Sequence, residues 1–467
     1  MQGPLKLEEV MKVTIERSGW LCQLEPWIPV LEQHLTYWQK NEDFSRPRKK
    51  GQKMQMVQRR LYEVKDDQGV FPAGLFTRVI LQLQEQGVEW ELKDYRQKDK
   101  LWPEPDFGKV HKLRSGQSAL LLAVTTSDGG LIVGGTGVGK SFIIIQICRM
   151  YPTLRFLITS PRKAVVEMLT KKLTANLMPG AVGMITGDRN DGPDHRITVT
   201  TTKSVLKANL NAIDVLLFDE AHGVGNNQIA KHLSYLQNTR RYGFTASAVR
   251  GDGSALAMEA VFGPVLAEIP YDEAVDKGLV VPIEVHVYPN DIKVEKRRMI
   301  VANKRHGYWR NNYRNKLIRE IVRRVPDYEQ TLIMTETLEH ANYLHELLPE
   351  YTLVHFKIKA KELKDLREQF ERGELKKVIS TTTWKEGVDF PHLSVLVRAD
   401  GASSEVNSIQ IPGRLSRIAE NKNVGVLIDF ADNFNEWGHR RYLARLRTYK
   451  ERKWDILKKT APAVKGR

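Results

Sequence analysis

The stretch GGLIVGGTGVGKSFIIIQICRMY, residues 129–151, holds three kinds of sequence in succession. Residues 129–133 are a short apolar run of strand length, and residues 142–151 form an apolar segment of helical length. Between them GGTGVGKS, residues 134–141, fits the pattern G-x-x-x-x-G-K-[ST]. Glycines let backbone N–H groups close around phosphate oxygens, and a helix N-terminus adds its positive end. Gly134, Gly135, Thr136, Gly137, Val138 and Gly139 would form the wrap of a nucleotide site. Lys140 would reach the β- and γ-phosphates, and the Ser141 hydroxyl would ligate Mg²⁺.

The same rhythm extends outward in both directions. GGLIVGG, RFLITSP, ITVTTT, DVLLFDE and RRYGFTAS punctuate residues 110 to about 275. TLIMTE, YTLVHF, KKVISTT, LSVLVRAD and VGVLIDF punctuate the chain from about 283 onward. Continuous β-branched and leucine runs of this kind suggest strands buried on both faces, hence an α/β fold with parallel sheets. The prolines and glycine of KDKLWPEPDFGK, residues 98–109, mark a boundary. The expected organisation is an N-terminal α+β module over 1–108, one α/β domain over 109–280 and a second over 281–467.

Composition narrows the chemistry. The chain has 467 residues, too many for one ordinary core, with 41% hydrophobic and 27% charged residues. Cys22 and Cys148 are its two cysteines, far apart, which argues against a disulfide framework or a zinc site. No apolar run approaches bilayer length and residues 1–12 lack the core of a signal peptide, so a soluble, cytoplasmic protein is expected. Like charges repel in a compact state, so a formal charge of +16 points to a partner, most simply nucleic-acid phosphate.

VLLFDEAHG, residues 215–223, supplies the acids that a nucleotide site needs. Four apolar residues would place Asp219 at the carboxyl end of a buried strand. Asp219 could then hold the metal, while Glu220 orients or deprotonates an attacking water. Late in the chain, QIPGRLSR (410–417) sets Arg414 and Arg417 three apart, a spacing that shares one face of a helix. Guanidinium groups can stabilise charge growing on a γ-phosphate, although a basic helix face would carry the same spacing.

This ordered set resembles superfamily 2 helicases and translocases, which pair two RecA-like domains and move on nucleic acid using ATP. LRSGQ (113–117) looks like the adenine-recognising segment, with Gln117 and Arg114. GGTGVGKS, SPRKAVVEML (160–169), DEAH (219–222) and TAS (245–247) look like motifs I, Ia, II and III. STTTWKEGVDFP (380–391) looks like motif V, carrying Thr381, Gly387 and Asp389. Gln410, Arg414 and Arg417 fall in the motif VI resemblance, where the family keeps its arginine fingers. That resemblance implies ATP with Mg²⁺ in a cleft between two tandem RecA-like domains. Finer likeness, in GFTASAVRGDG (243–253) and YWRNNYRNKLI (308–318), is to the XPB/UvsW-like group with a DEAH motif II, including phage branch-migration and recombination helicases.

The resemblance also implies where nucleic acid would lie: at Pro161, Arg162, Gly187 and Thr201 of the first domain, and at Thr335 and Thr381 of the second. His222, Thr245 and Ser247 would couple ATP to that strand. The stretch 293–324 carries twelve Lys/Arg against two Glu, so a basic surface is expected, with Tyr308 or Trp309 available to stack on a base. Leu317, Ile318, Ile321 and Val322 would form the buried face of a helix there. The cluster RPRKKGQK (46–53) reads either as a loop that touches duplex, which is the expectation taken, or as a solvated linker. The implied activity is that of an ATP-dependent DNA helicase for forked and recombination DNA, acting as a monomer in a host cytoplasm if phage-encoded. An RNA helicase, a duplex translocase that leaves strands paired, and a nucleotide-gated DNA clamp are the alternatives.

Overall fold

The computed structural model describes residues 12–40, 56–96, 102–192, 194–225, 233, 236, 239–248, 254–384, 390–403 and 411–464. The chain divides into two compact units, one of Met1–Gly134 with Lys140–Ile269, the other of Gly135–Gly139 with Pro270–Arg467.

The first unit contains a seven-stranded, all-parallel sheet. Its spatial order is Val182–Ile185, Ile197–Thr201, Phe156–Ser160, Val215–Asp219, Arg240–Thr245, Gly129–Gly134, Val265–Ile269. Helices on both faces leave the central strands no polar side, which is why their sequences read as unbroken apolar runs. Every residue of Gly129–Gly134, Phe156–Ser160 and Val215–Asp219 is buried.

The second unit repeats the plan with seven parallel strands. Their order is Thr352–Val354, Lys377–Ser380, Gln330–Met334, Leu393–Arg398, Gly425–Asp432, Ile283–Asn290, Asp455–Lys458. At the carboxyl ends of Leu393–Arg398 and Gly425–Asp432 lies a buried ionic network. Arg445, on the helix Glu436–Glu451, donates to Asp429 at 2.8 and 3.0 Å and to Asp432 at 3.0 Å. Arg314 donates to Asp432 at 2.9 Å and to the Ala399 carbonyl, while Arg398 donates to Asp400 at 2.8 Å. Burial alone would raise the Asp429 pKa, yet the Arg445 guanidinium holds that carboxyl below its usual range.

One expectation fails in this unit. Tyr308 and Trp309 are buried, packed with Phe434, and cannot stack on a base. Arg314, six residues after Tyr308, lies against the Tyr308 ring at 5.0 Å, so Tyr308 folds inward over a buried cation. Leu317, Ile318, Ile321 and Val322 are buried on the helix Asn312–Val322, as their spacing suggests.

Residues before the nucleotide domain form a mixed five-stranded sheet in the order Glu63–Lys65, Gln68–Pro72, Leu21–Glu25, Lys12–Ser18, Glu89–Asp94. Strict alternation in KVTIERS turns Val13 and Ile15 inward against the helix Phe76–Glu85, leaving the other face polar. A separate two-stranded ribbon pairs Thr36–Lys40 with Met56–Arg60. The module is seated on the first parallel sheet's own elements: Ala260 and Leu256 join its core. Arg78 forks onto Glu259, closest at 2.5 Å, and the Trp20 indole donates to the Thr239 carbonyl at 2.8 Å. A Cβ at Gly74 would stand 2.1 Å from the Glu259 carbonyl oxygen. Gly74→Val should therefore cost about 1–3 kcal/mol through overpacking, read as a lower melting temperature of the full chain. An unchanged melting curve would show that this seat is loose. Cys22 and Cys148 are both buried and unlinked, as expected.

Candidate active site

Gly137 and Gly139 hold the phosphate loop open with φ of +96° and +100°, a region that side chains disfavour. The helix Lys140–Met150 begins directly after the loop. Lys140 Nζ donates to the Gly134 carbonyl at 2.8 Å, which folds the ammonium back over the loop. A Cβ at Gly135 would meet nothing within 4 Å, so that part of the cradle is unfilled by protein.

The strand Arg240–Thr245 lies between the phosphate-loop strand and Val215–Asp219, with Val133 level with Thr245 and Phe244 level with Asp219. Parallel register thus delivers Lys140, Asp219 and Thr245 to the same end of one sheet. Asp219 is 6% exposed. Burial, and then the charge of Glu220, push its pKa up, while Lys140 pulls it down. Burial works to raise Glu220 too. The hydrogen bond from His222, followed by the charges of Lys140 and Arg162, outweighs that and holds Glu220 low. The two adjacent acids are thus pushed in opposite directions, Asp219 up and Glu220 down. An oxygen donor set of Ser141 hydroxyl and Asp219 carboxylate suits Mg²⁺, which keeps several waters when bound.

Glu220 itself has φ +59°, uncommon outside glycine, so the backbone leaves the extended conformation of the strand at this residue. His222 Nδ1 lies 3.2 Å from the Glu220 carboxylate. Gly223 then packs against Pro161, where a Cβ would come within 2.4 Å of the proline ring. Thr245 and Ser247 close a turn on each other through the Thr245 hydroxyl, 3.0 Å from the Ser247 carbonyl. The Gln117 side chain accepts from the Arg114 amide at 2.9 Å, ordering the expected base-reading segment.

The residues expected to follow a nucleic-acid strand gather in two groups. In the first unit, Thr201 is level with Ser160, the residue before Pro161 and Arg162. The turn at Gly187 is tied to the same place by Asp188, which pairs with Lys163 at 2.5 Å. In the second unit, Thr335 and Thr381 each follow a member of the register pair Met334–Ser380. Thr335 is wholly buried, its hydroxyl turned inward toward the Ser380 carbonyl at 3.3 Å, so as placed it organises the strand end.

The arginine pair departs from its expected geometry. Residues Pro412–Ser416 form a 3₁₀ turn and Arg417 is already extended, so Arg414 and Arg417 share no helical face. The turn stops at Ser416, so Arg417 lies past its end and is not aligned with Arg414. Arg414 is buried and donates to the Trp384 carbonyl at 2.7 Å. Burial lowers the Arg417 pKa to about 10. Gly387, Asp389, Gln410 and the cluster at 46–53 lie outside the described residues. Sequence reading missed the network of Arg314, Arg398 and Arg445 with Asp400, Asp429 and Asp432. Its one visible signal was charge inside apolar strands, as in LSVLVRAD and VGVLIDF.

Comparisons with known proteins fall on these same segments. Residues 110–250 match the family described as "Type III restriction enzyme, res subunit", and residues 313–419 match "Helicase conserved C-terminal domain". S. cerevisiae Dbp5, solved bound to RNA and ADP BeF3, aligns over 75% of this chain and 90% of its own, with a TM-score of 0.55 at 17% identity. Both parallel sheets are RecA-like. "Putative helicase 22" of Sulfolobus islandicus filamentous virus is 26% identical over 246 residues, 49% of this chain and 44% of that one. "DNA 3'-5' helicase XPB" of Mycobacterium tuberculosis is 22% identical over 352 residues, 68% of this chain and 62% of that one. The chain thus spans less than two thirds of the length of either relative. Together these likenesses support a superfamily 2 helicase. No helix among the described residues is long and apolar enough to cross a membrane.

Proposed function

We propose that the chain is an ATP-dependent DNA helicase or translocase that remodels forked and recombination DNA. The observation that carries this reading is the convergence of Lys140, Asp219 and Glu220 at one sheet end, with Lys140 close enough to act electrostatically on both acids. ATP with Mg²⁺ fits there. The ion, when bound, would neutralise charge on the phosphates, held by Ser141 and Asp219. Lys140 would hold the β- and γ-phosphates, Glu220 would orient the attacking water and His222 would fix the Glu220 carboxylate. Arg414 and Arg417 are the candidates for stabilising charge on the γ-phosphate.

The net charge of +16 favours a nucleic-acid partner, and the likeness to a protein named as a DNA helicase favours DNA. Residues 1–108 would grip duplex near the branch, residues 109–280 and 281–467 would form the motor, and the XPB/UvsW-like finer likeness suggests branch migration. Likeness to Dbp5, which was solved with RNA, keeps an RNA motor as the second reading. Measuring ATP turnover with single-stranded DNA, forked DNA, duplex and RNA separates them. Stimulation by forked or single-stranded DNA several-fold above RNA is expected. Stronger stimulation by RNA would overturn the DNA reading, and unwinding of forks with one labelled arm fixes polarity in the same experiment.

A further inference from the structure

The module's two faces differ in a way that selects one of them for nucleic acid. Its open five-stranded face is lined by Thr14, Glu16, Gln23, Glu25, Gln68 and Lys93 around a shallow polar hollow. The cations on that face are matched by acids: Lys12 pairs with Glu91 at 2.7 Å and Lys93 with Glu16 at 3.7 Å. Such a face has little to offer a phosphate backbone.

The ribbon of Thr36–Lys40 and Met56–Arg60 is built differently. Alternation and register put Trp38, Met56, Gln58 and Arg60 on one side, with Trp38 directly opposite Gln58. That side faces outward: Met56 is 49% and Trp38 56% exposed, with Gln58 and Arg60 exposed as well. Tyr37, on the other side, is buried and roots the ribbon. Of the chain's nine tryptophans, Trp38 alone is exposed among the described residues. More than half of its surface is open to solvent, so the indole is accessible to a partner. The sequence between the two strands contains RPRKKGQK, five basic residues among eight.

We infer that the outward face of this ribbon is a base-stacking surface for branched DNA, with Trp38 lying on the base at which the duplex opens and Arg60 on an adjacent phosphate. This rests on the DNA reading above and adds a contact that the motor motifs do not supply. An indole plane accepts any base, which suits a surface that recognises a branch and not a sequence. Backbone cations near it fix position without reading bases.

The test measures binding of the full chain, at physiological salt, to a fork bearing 2-aminopurine at its first unpaired position and to a blunt duplex of equal length. Trp38→Ala should weaken fork binding on the order of tenfold and abolish the 2-aminopurine signal, with duplex affinity nearly unchanged. Trp38→Phe should restore most of both. An exposed side chain leaves the fold intact when removed, and an unchanged melting temperature checks this. If the unaltered chain binds the fork tightly but Trp38→Ala binds it equally well, the ribbon inference is overturned while the DNA reading stands. If the unaltered chain binds neither DNA, it is the DNA reading that fails. Concentration-dependent self-association lost in Trp38→Ala, with fork affinity intact, would assign the face to a second copy and also overturn the inference.

Discussion

Glu220→Gln is expected to lower DNA-stimulated ATP turnover by about 10²–10⁴-fold, the usual contribution of a positioned general base. The substitution keeps the shape of the side chain and removes only its charge and proton affinity. ATP binding should survive it, because Lys140 and the loop amides do not depend on Glu220. The expected split is therefore a collapse of kcat with KM changed little. The geometry explains why no neighbour should take over: Asp219 is pushed toward its protonated form by burial and, with metal present, is expected to be committed to the ion. His222 is held by the very carboxylate that the substitution removes. Steady-state hydrolysis with saturating forked DNA checks the prediction. Turnover within threefold of the unaltered chain would remove Glu220 from the chemistry.

Arg445→Met carries the largest expected stability cost, about 3–5 kcal/mol, because it leaves buried acids without their counter-charge. Arg445 is wholly buried and faces two carboxylates, Asp429 and Asp432, with a further donation to the Phe430 carbonyl. Methionine would fill the volume but satisfy none of these acceptors. Arg314 still reaches Asp432, while Asp429 keeps the Tyr449 hydroxyl at 2.9 Å, so Asp429 bears most of the loss. Its carboxyl, held low by Arg445, would rise toward protonation. Calorimetry of the full chain should show the second unit melting well below its position in the unaltered protein. A shift corresponding to less than about 1 kcal/mol would mean that the network is solvated in solution.

The parallel sheets were legible because their inner strands are covered on both sides and so must be apolar throughout. RFLITSP and DVLLFDE could hardly be anything else once the phosphate loop set the pattern. Edge strands hid for the opposite reason. Val265–Ile269 has only intermediate and exposed positions before Ile269, and Asp455–Lys458 begins and ends in exposed charge. The phosphate-loop lysine and the two acids were legible because each is fixed by residues next to it in sequence. Arg414 and Arg417 were not, since spacing says nothing about where a helical turn stops, and this one stops at Ser416. Nor were the aromatics at 308 and 309, whose partner Phe434 is more than a hundred residues away.

The seat of the N-terminal module bears on how the motor could be shortened or recombined. Removing residues 1–108 would strip the indole from Arg241, whose guanidinium lies 4.5 Å from the Trp20 ring, and leave the Thr239 carbonyl without its donor. It would also bare Ala260 and Leu256, which now complete the module's core. The remaining motor would present a raw apolar scar beside an unroofed cation. The module is therefore no interchangeable cassette, and any exchange with a foreign one would have to rebuild that scar first.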